Sequence, residues 1–206
     1  MGRIEIDLFT TLDLVAQAPG GPDEDTEDGF EFGGWQAPLQ DEVVGDLIRR
    51  GIQETDALLL GRKTYDIFAG YWPLQADDFA GGIAGRFNRI SKYVASRGNL
   101  DLDWAGSSQI GPDIAAAVGE IRNRHEHTHV IGSLDFVQTL LSERLFDRLN
   151  LVVCPITLGS GKKVFGSGTV PSNLKLAEPA VSTPTGTVIL HYELLDGIPA
   201  TGDMSQ

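Results

Sequence analysis

Three short segments of this chain combine residue types that can do chemistry. Gly61-Arg62-Lys63-Thr64 sets two cations beside the free amides of a helix start, which suits a phosphate. The same four residues also fit a helix start that merely happens to be basic. Gly132-Ser133-Leu134-Asp135 is a second strand–glycine–helix junction, and by itself it says only that the turn needs a glycine. Gly159-Ser160-Gly161-Lys162-Lys163 resembles a nucleotide loop only in part. Ile156 and Val164 stand where the two phosphate-binding fingerprints require glycine, so the segment reads as a turn between strands.

Other candidates are weaker. His125, His127 and His129 alternate, and one strand face could turn all three toward a metal, but His125 falls where a helix is ending. No metal site is expected. Cys154 lies in an apolar run before Pro155, the setting of a buried inert thiol rather than a nucleophile. Gly33-Gly34-Trp35 could offer an indole to a flat heteroaromatic ring, and it could equally pack its loop onto the core.

The elements that must hold these residues are legible in outline. Ile4, Ile6 and Leu8 alternate with polar neighbours, the period of a strand. Val43, Val44, Leu47 and Ile48 keep helical spacing from Asp41, which suits the helix cap, to about Thr55. Ala57 to Leu60 is a buried strand ending at Gly61, and a helix starts at Lys63; this is the strand–helix unit of a parallel sheet. A helix is expected over 77–89, a strand over 92–96, and a helix over 112–124 with Pro112 in its first turn. Residues 128–132 form another strand, and the Ser133 hydroxyl is expected to cap the helix that follows. After a buried strand at 148–156 the helices stop, and 175–176 and 187–194 read as antiparallel strands at the sheet's edge. One α/β domain spanning 1–196 is the economical reading, with a disordered tail over 197–206.

Charge narrows the partners. Sixteen Lys and Arg against 29 Asp and Glu leave 206 residues with a net charge of −13. That balance speaks against a nucleic-acid face and against docking on an anionic membrane. No apolar stretch approaches the roughly 18 residues of a membrane span, and no signal peptide is visible, so a soluble cytoplasmic protein is expected. Six of the acidic residues crowd into 22–31, read as a mobile loop.

Taken in order, four blocks resemble the dihydrofolate-reductase-like superfamily. The resemblance is to the branch related to the C-terminal reductase domain of the bacterial riboflavin-biosynthesis enzyme. The blocks are Leu58 to Tyr65, Lys92 to Ser96, Val130 to Val137, and Asp147 to Gly161. The resemblance covers nearly the whole chain and implies a three-layer α/β fold. That fold is a mixed, mostly parallel sheet flanked by helices, with antiparallel C-terminal strands. It also implies an NADPH-dependent reductase. By similarity, Gly61, Arg62, Lys63 and Thr64 hold the cofactor phosphates. Ser96 and Arg97 lie beside the adenosine ribose and its 2′-phosphate. Gly132, Ser133, Leu134 and Asp135 admit the pyrophosphate, and Val15 and Ala16 match the segment that meets the nicotinamide.

The substrate side falls to the first helix and the glycine-rich loop before it, with Trp35 and Asp41 as candidates. Two departures stand out. Relatives show Leu-Asp-Gly after the first strand, and here it is Leu12-Asp13-Leu14. The carboxylate that assists pterin protonation in dihydrofolate reductases has no counterpart: Asp46 points away from the helix's apolar face, and Asp41 suits the cap. The catalytic acid is therefore unassigned. The expected substrate is a small heteroaromatic molecule, pterin- or pyrimidine-like. A non-catalytic nucleotide- or ring-binding protein and a riboflavin-pathway aminouracil reductase are the alternatives. Relatives of this fold often dimerise, which implies a homodimer.

Overall fold

The computed structural model describes residues 1–167 and 169–204. Nine strands among them form one sheet: β1 (Arg3–Thr11), β2 (Ala57–Gly61), β3 (Ser91–Ala95), β4 (Ser107–Gln109), β5 (His127–Val130), β6 (Arg148–Cys154), β7 (Asn173–Leu176), β8 (Val181–Ser182) and β9 (Val188–Leu195). The order across the sheet is β4-β3-β2-β5-β1-β6-β9-β7, with β8 also paired to β9. Pairing from β4 through β6 is parallel; β9 runs antiparallel to β6, β7 and β8. This is the three-layer mixed sheet that the resemblance implies.

Five α-helices cover the two faces: α1 (Glu42–Glu54), α2 (Arg62–Tyr71), α3 (Phe79–Arg89), α4 (Ile114–Arg124) and α5 (Leu134–Ser142). All five residues of β2 are buried, because the strand is covered on both sides. Leu59 joins Ile4, Ile6, Val118 and Leu140 in the core beneath α4 and α5. Leu58 and Leu60 point the other way, to Tyr65, Ile83 and Phe87 of α2 and α3. Val44 of α1 packs on Val152 and Ile189.

The helix over 112–124 begins two residues later than expected, at Ile114, because the Asp113 carboxylate accepts from Ala116 N and caps it there. β4 escaped the sequence reading because Ser107-Ser108-Gln109 is short and polar at a sheet edge. No helix among the described residues is long and apolar enough to cross a membrane.

Candidate active site

The parallel strands β1, β2, β3 and β5 all end on one edge of the sheet, and the chemistry-bearing junctions meet there. Gly61 N donates to Gly132 O at 2.9 Å, so the β2–α2 and β5–α5 turns lie side by side. The approach requires glycine at both points. A Cβ on Gly61 would stand 2.2 Å from Ser133 Oγ and 2.9 Å from Phe136 Cβ. One on Gly132, whose φ is +145°, would meet Thr64 Oγ1 at 2.5 Å.

The helix starts at these turns are open. Asp41 and Asp113 cap α1 and α4 with their carboxylates. Gly61 has no side chain to offer α2, and the Ser133 hydroxyl makes no capping bond to α5. The expected Ser133 cap is therefore absent. Two helix N-termini present free amides and the positive ends of their dipoles to the same edge.

An open cleft of about 1040 Å³ runs along that edge. Gly61, Arg62, Lys63, Ser96, Arg97, Ser133 and Asp135 all line it. Arg62 is engaged by Asp66 one turn along its own helix, an exposed pair. Arg97 makes no ion pair among the described residues. The cleft leads to a cavity of about 100 Å³ between β1, β5 and α2, where Ala16, Lys63, Thr64, Gly132, Ser133 and Leu134 meet. Through Phe9, Glu24, Ile67 and Phe68 that cavity borders a third, of about 730 Å³, over α1 and α2. An elongated phosphate-bearing ligand and a ring could thus lie end to end.

Not every candidate reaches this space. Ala16 faces the junction cavity, whereas Val15 is fully buried with Phe30 and Cys154 behind it. Leu14 takes the left-handed conformation, with φ +66°, held by Leu14 N donating to Thr11 O and Val164 N donating to Leu14 O. Asp41 lines the third cavity. Besides capping α1, it accepts from Thr185 Oγ1 at 2.6 Å. Hydrogen bonds from Thr183 and Thr185 hold its carboxyl below the ordinary carboxylate range. Trp35 is 8 % exposed, lines none of the three cavities, and donates from Nε1 to Gln17 O at 2.8 Å. The structure gives its indole a packing role.

The acidic loop, which the sequence presents as mobile, is tied to the junction by hydrogen bonds and ion pairs. Gln17, buried, donates to Asp25 O and Glu27 O and accepts from Lys162 N. So fixed, the loop turns two carboxylates onto the cations of the junction. Lys162 Nζ binds Asp25 at 2.9 Å and also Glu27; Lys63 Nζ lies 3.3 Å from Asp25 and also contacts Glu27. Burial alone would raise the Asp25 carboxyl, but the Lys162 hydrogen bond and both lysine charges bring it below its ordinary value. Burial likewise opposes the Lys162 charge, and Glu27 and Asp25 reverse that and raise it. A reading based on local patterns misses this quartet because its members lie far apart in sequence.

The three alternating histidines part company. His125 hydrogen-bonds Tyr93, His127 sits 3.7 Å from Glu5, and His129 binds Asp7 at 2.5 Å. Among the described residues no group of His, Cys, Asp and Glu is arranged to hold a metal. Cys154 is buried, and burial raises its thiol above the ordinary value.

The chain resembles known proteins along most of its length. The sequence profile of the RibD C-terminal domain matches residues 3–189. The uncharacterized protein YyaP of Bacillus subtilis strain 168 is 27 % identical over 193 residues, covering 92 % of this chain and 95 % of YyaP. Three solved structures share the fold at low identity. One, from Shewanella sp. PV-4, is provisionally described as a riboflavin biosynthesis protein; it matches with a TM-score of 0.70 and 14 % identity, over 94 % of this chain and 99 % of its own. A pyrimidine reductase-like protein of Corynebacterium diphtheriae matches at 0.66 and 16 %, over 95 % and 93 %. Acinetobacter baumannii RibD matches at 0.62 and 12 %, and this chain spans 59 % of it.

Proposed function

Because the chain belongs to the RibD C-terminal domain family, we propose that it is an NADPH-dependent reductase of a small pyrimidine- or pterin-like ring. The observation that carries this is the paired, uncapped starts of α2 and α5, brought together at Gly61 and Gly132. A Cβ at either glycine would fill the approach, so the cradle fits a dinucleotide whose phosphates come close to backbone amides. Arg62, Lys63 and Thr64 stand at one junction; Ser133, Leu134 and Asp135 stand at the other. Ser96 and Arg97 on the cleft's far rim suit the 2′-phosphate, since a guanidinium pairs well with a phosphate monoester. A reduced nicotinamide supplies hydride chemistry when bound there.

The chain's own part is to orient and to keep water out. Phe9, Ile67 and Phe68 give apolar walls where the junction cavity meets the larger one. The ring belongs in that larger cavity, with Asp41, Gln36 and Gln40 on its rim, and its reacting edge belongs at the junction cavity that borders it. The ion pairs on Lys63 favour a second reading, a nucleotide-binding protein without turnover, because they compete with a phosphate for the same cation.

A thermal-shift screen with NADPH, NADH and flavins tests the cofactor. A ligand at 100 times its Kd stabilises by about 2.7 kcal/mol. Stabilisation by NADPH, weakened in Arg97→Ala, is the expected result; stabilisation by flavins alone sinks the proposal. NADPH oxidation with a panel of pterins and aminouracils separates reductase from binder. The homodimer implied by the resemblance belongs to this proposal too, and a monomer by light scattering refutes it.

A further inference from the structure

The site described so far lacks a proton source, and a two-electron reduction of a C=N bond, whether in a dihydropterin ring or between an opened sugar carbon and its nitrogen, needs one. The structure offers a group that local sequence patterns do not reveal. Asp7, on β1, lines the junction cavity together with Phe9, Ala16 and Thr64. Its side chain is 33 % exposed, whereas that of His129 behind it is 11 % exposed. His129 Nδ1 lies 2.5 Å from Asp7 Oδ2, and Asn150 Nδ2 donates to Asp7 Oδ1 at 2.8 Å. Strands on both sides of β1 thus fix the carboxylate, and His191 Nδ1 in turn holds Asn150 Oδ1 at 2.7 Å.

A carboxylate oxygen can only accept, so the short contact places a proton on His129 Nδ1. The surroundings keep it there. Burial by itself pushes the imidazole down, but the charge and hydrogen bond of Asp7, with Glu5 and Asp56 further off, raise it above its ordinary value. Lys63, Asp25 and Glu24 face the pair across the cavity. The bland role, a polar tie between strands, does not require that one oxygen-bearing end open into the cavity.

We propose that Asp7 delivers the proton at this site and that His129 is the positioning residue that supplies it to Asp7. The inference rests on the reductase reading above. The carbon of the C=N bond gains hydrogen and two electrons from the reduced dinucleotide, which leaves oxidised. The Asp7 carboxylate takes the Nδ1 proton of His129 and passes it to the nitrogen of that bond, so Asp7 ends as the carboxylate it began as. The imidazole, left neutral, regains a proton from water.

Nitrogen-15 NMR of the ligand-free full chain gives a test that needs no turnover. The His129 imidazolium should persist above the ordinary histidine value of 6.5 and lose that persistence in Asp7→Asn. Turnover is then measured with NADPH and two probes, a 7,8-dihydropterin and a ribosylaminouracil phosphate. Asp7→Asn should lower kcat at least tenfold with KM and NADPH affinity within twofold, and Asp7→Glu should recover part of the loss. Wild-type kcat should fall as pH rises through the His129 midpoint seen by NMR. Should Asp7→Asn fail to fold, the Asp7→Glu variant and the wild-type pH profile carry the test. An ordinary His129 titration, or an Asp7→Asn enzyme with unchanged kcat, overturns the donor and leaves the reductase reading standing. A wild type that oxidises NADPH with neither probe overturns both.

Discussion

Lys162 Nζ stands 2.9 Å from the Asp25 carboxylate, 137 residues away in sequence. The pair ties the acidic loop to the turn after β6 and brings the same carboxylate to 3.3 Å from Lys63. A cofactor phosphate arriving at Lys63 therefore meets a cation already partly neutralised.

Asp25→Asn should tighten NADPH binding by two- to fivefold, on the order of 1 kcal/mol or less for a partly exposed pair. Calorimetry at low and at high salt reads this, and the gain should shrink as salt screens it. Weaker binding in the variant would show that the loop's ordering matters more than its charge.

Gly61→Ala drives a methyl into Ser133 and Phe136. Overpacking of this kind costs about 1–3 kcal/mol, and here it also spreads the two helix starts. Denaturant unfolding and NADPH affinity should both worsen. Gly98→Ala, on the same cleft with nothing within 4 Å of its Cβ, is the control and should change little.

Trp35 separates packing from recognition. Trp35→Ala should cost about 3–5 kcal/mol, the usual loss for a buried aromatic. Trp35→Phe keeps the ring and leaves Gln17 O unpaired, at about 1–3 kcal/mol. With a packing role, ring-ligand affinity stays at the wild-type level in Trp35→Phe. A selective loss of that affinity, with stability and NADPH binding intact, would assign the indole to the substrate.

Lys92 is wholly buried, bonded to Asn88 O and Ala105 O and stacked over Trp104. Burial pushes its ammonium down to about 8 from 10.5. Between those values the unfolded chain binds the extra proton, so this group makes stability rise with pH across that window. Below about 8 its penalty is fully present; above 10.5 it is gone. Chemical denaturation at stepped pH should show the slope in the wild type and not in Lys92→Met.

The fold was largely legible because its signals are local. The all-apolar run at Leu58 to Leu60 announces a strand covered on both sides, and the glycines after β2 and β5 announce helix starts. Arg62 and Lys63 could be placed at a strand end from their neighbours alone. The failures share a cause. The Ser133 hydroxyl was expected to cap α5, yet the fold sets it against the Gly61 turn. The loop over 22–31 looked too charged to order, yet Gln17 and two lysines supply what its own sequence lacks.

What the sequence by itself determined is the order of the helices and of the strands other than the short edge strands β4 and β8, with the residue types at each junction, since these follow from periodicity and capping within a few residues. Which side chains face one another was decided only by the tertiary structure. Glu5 pairs in register with His129, and Asp7 with Asn150, because β1 lies between β5 and β6 in parallel. A shift of one residue in either pairing would turn those side chains to the opposite face of the sheet. The Asp7–His129 pair depends on that register, and the closed approach at Gly61 and Gly132 on the pairing of β2 with β5; no local pattern encodes either.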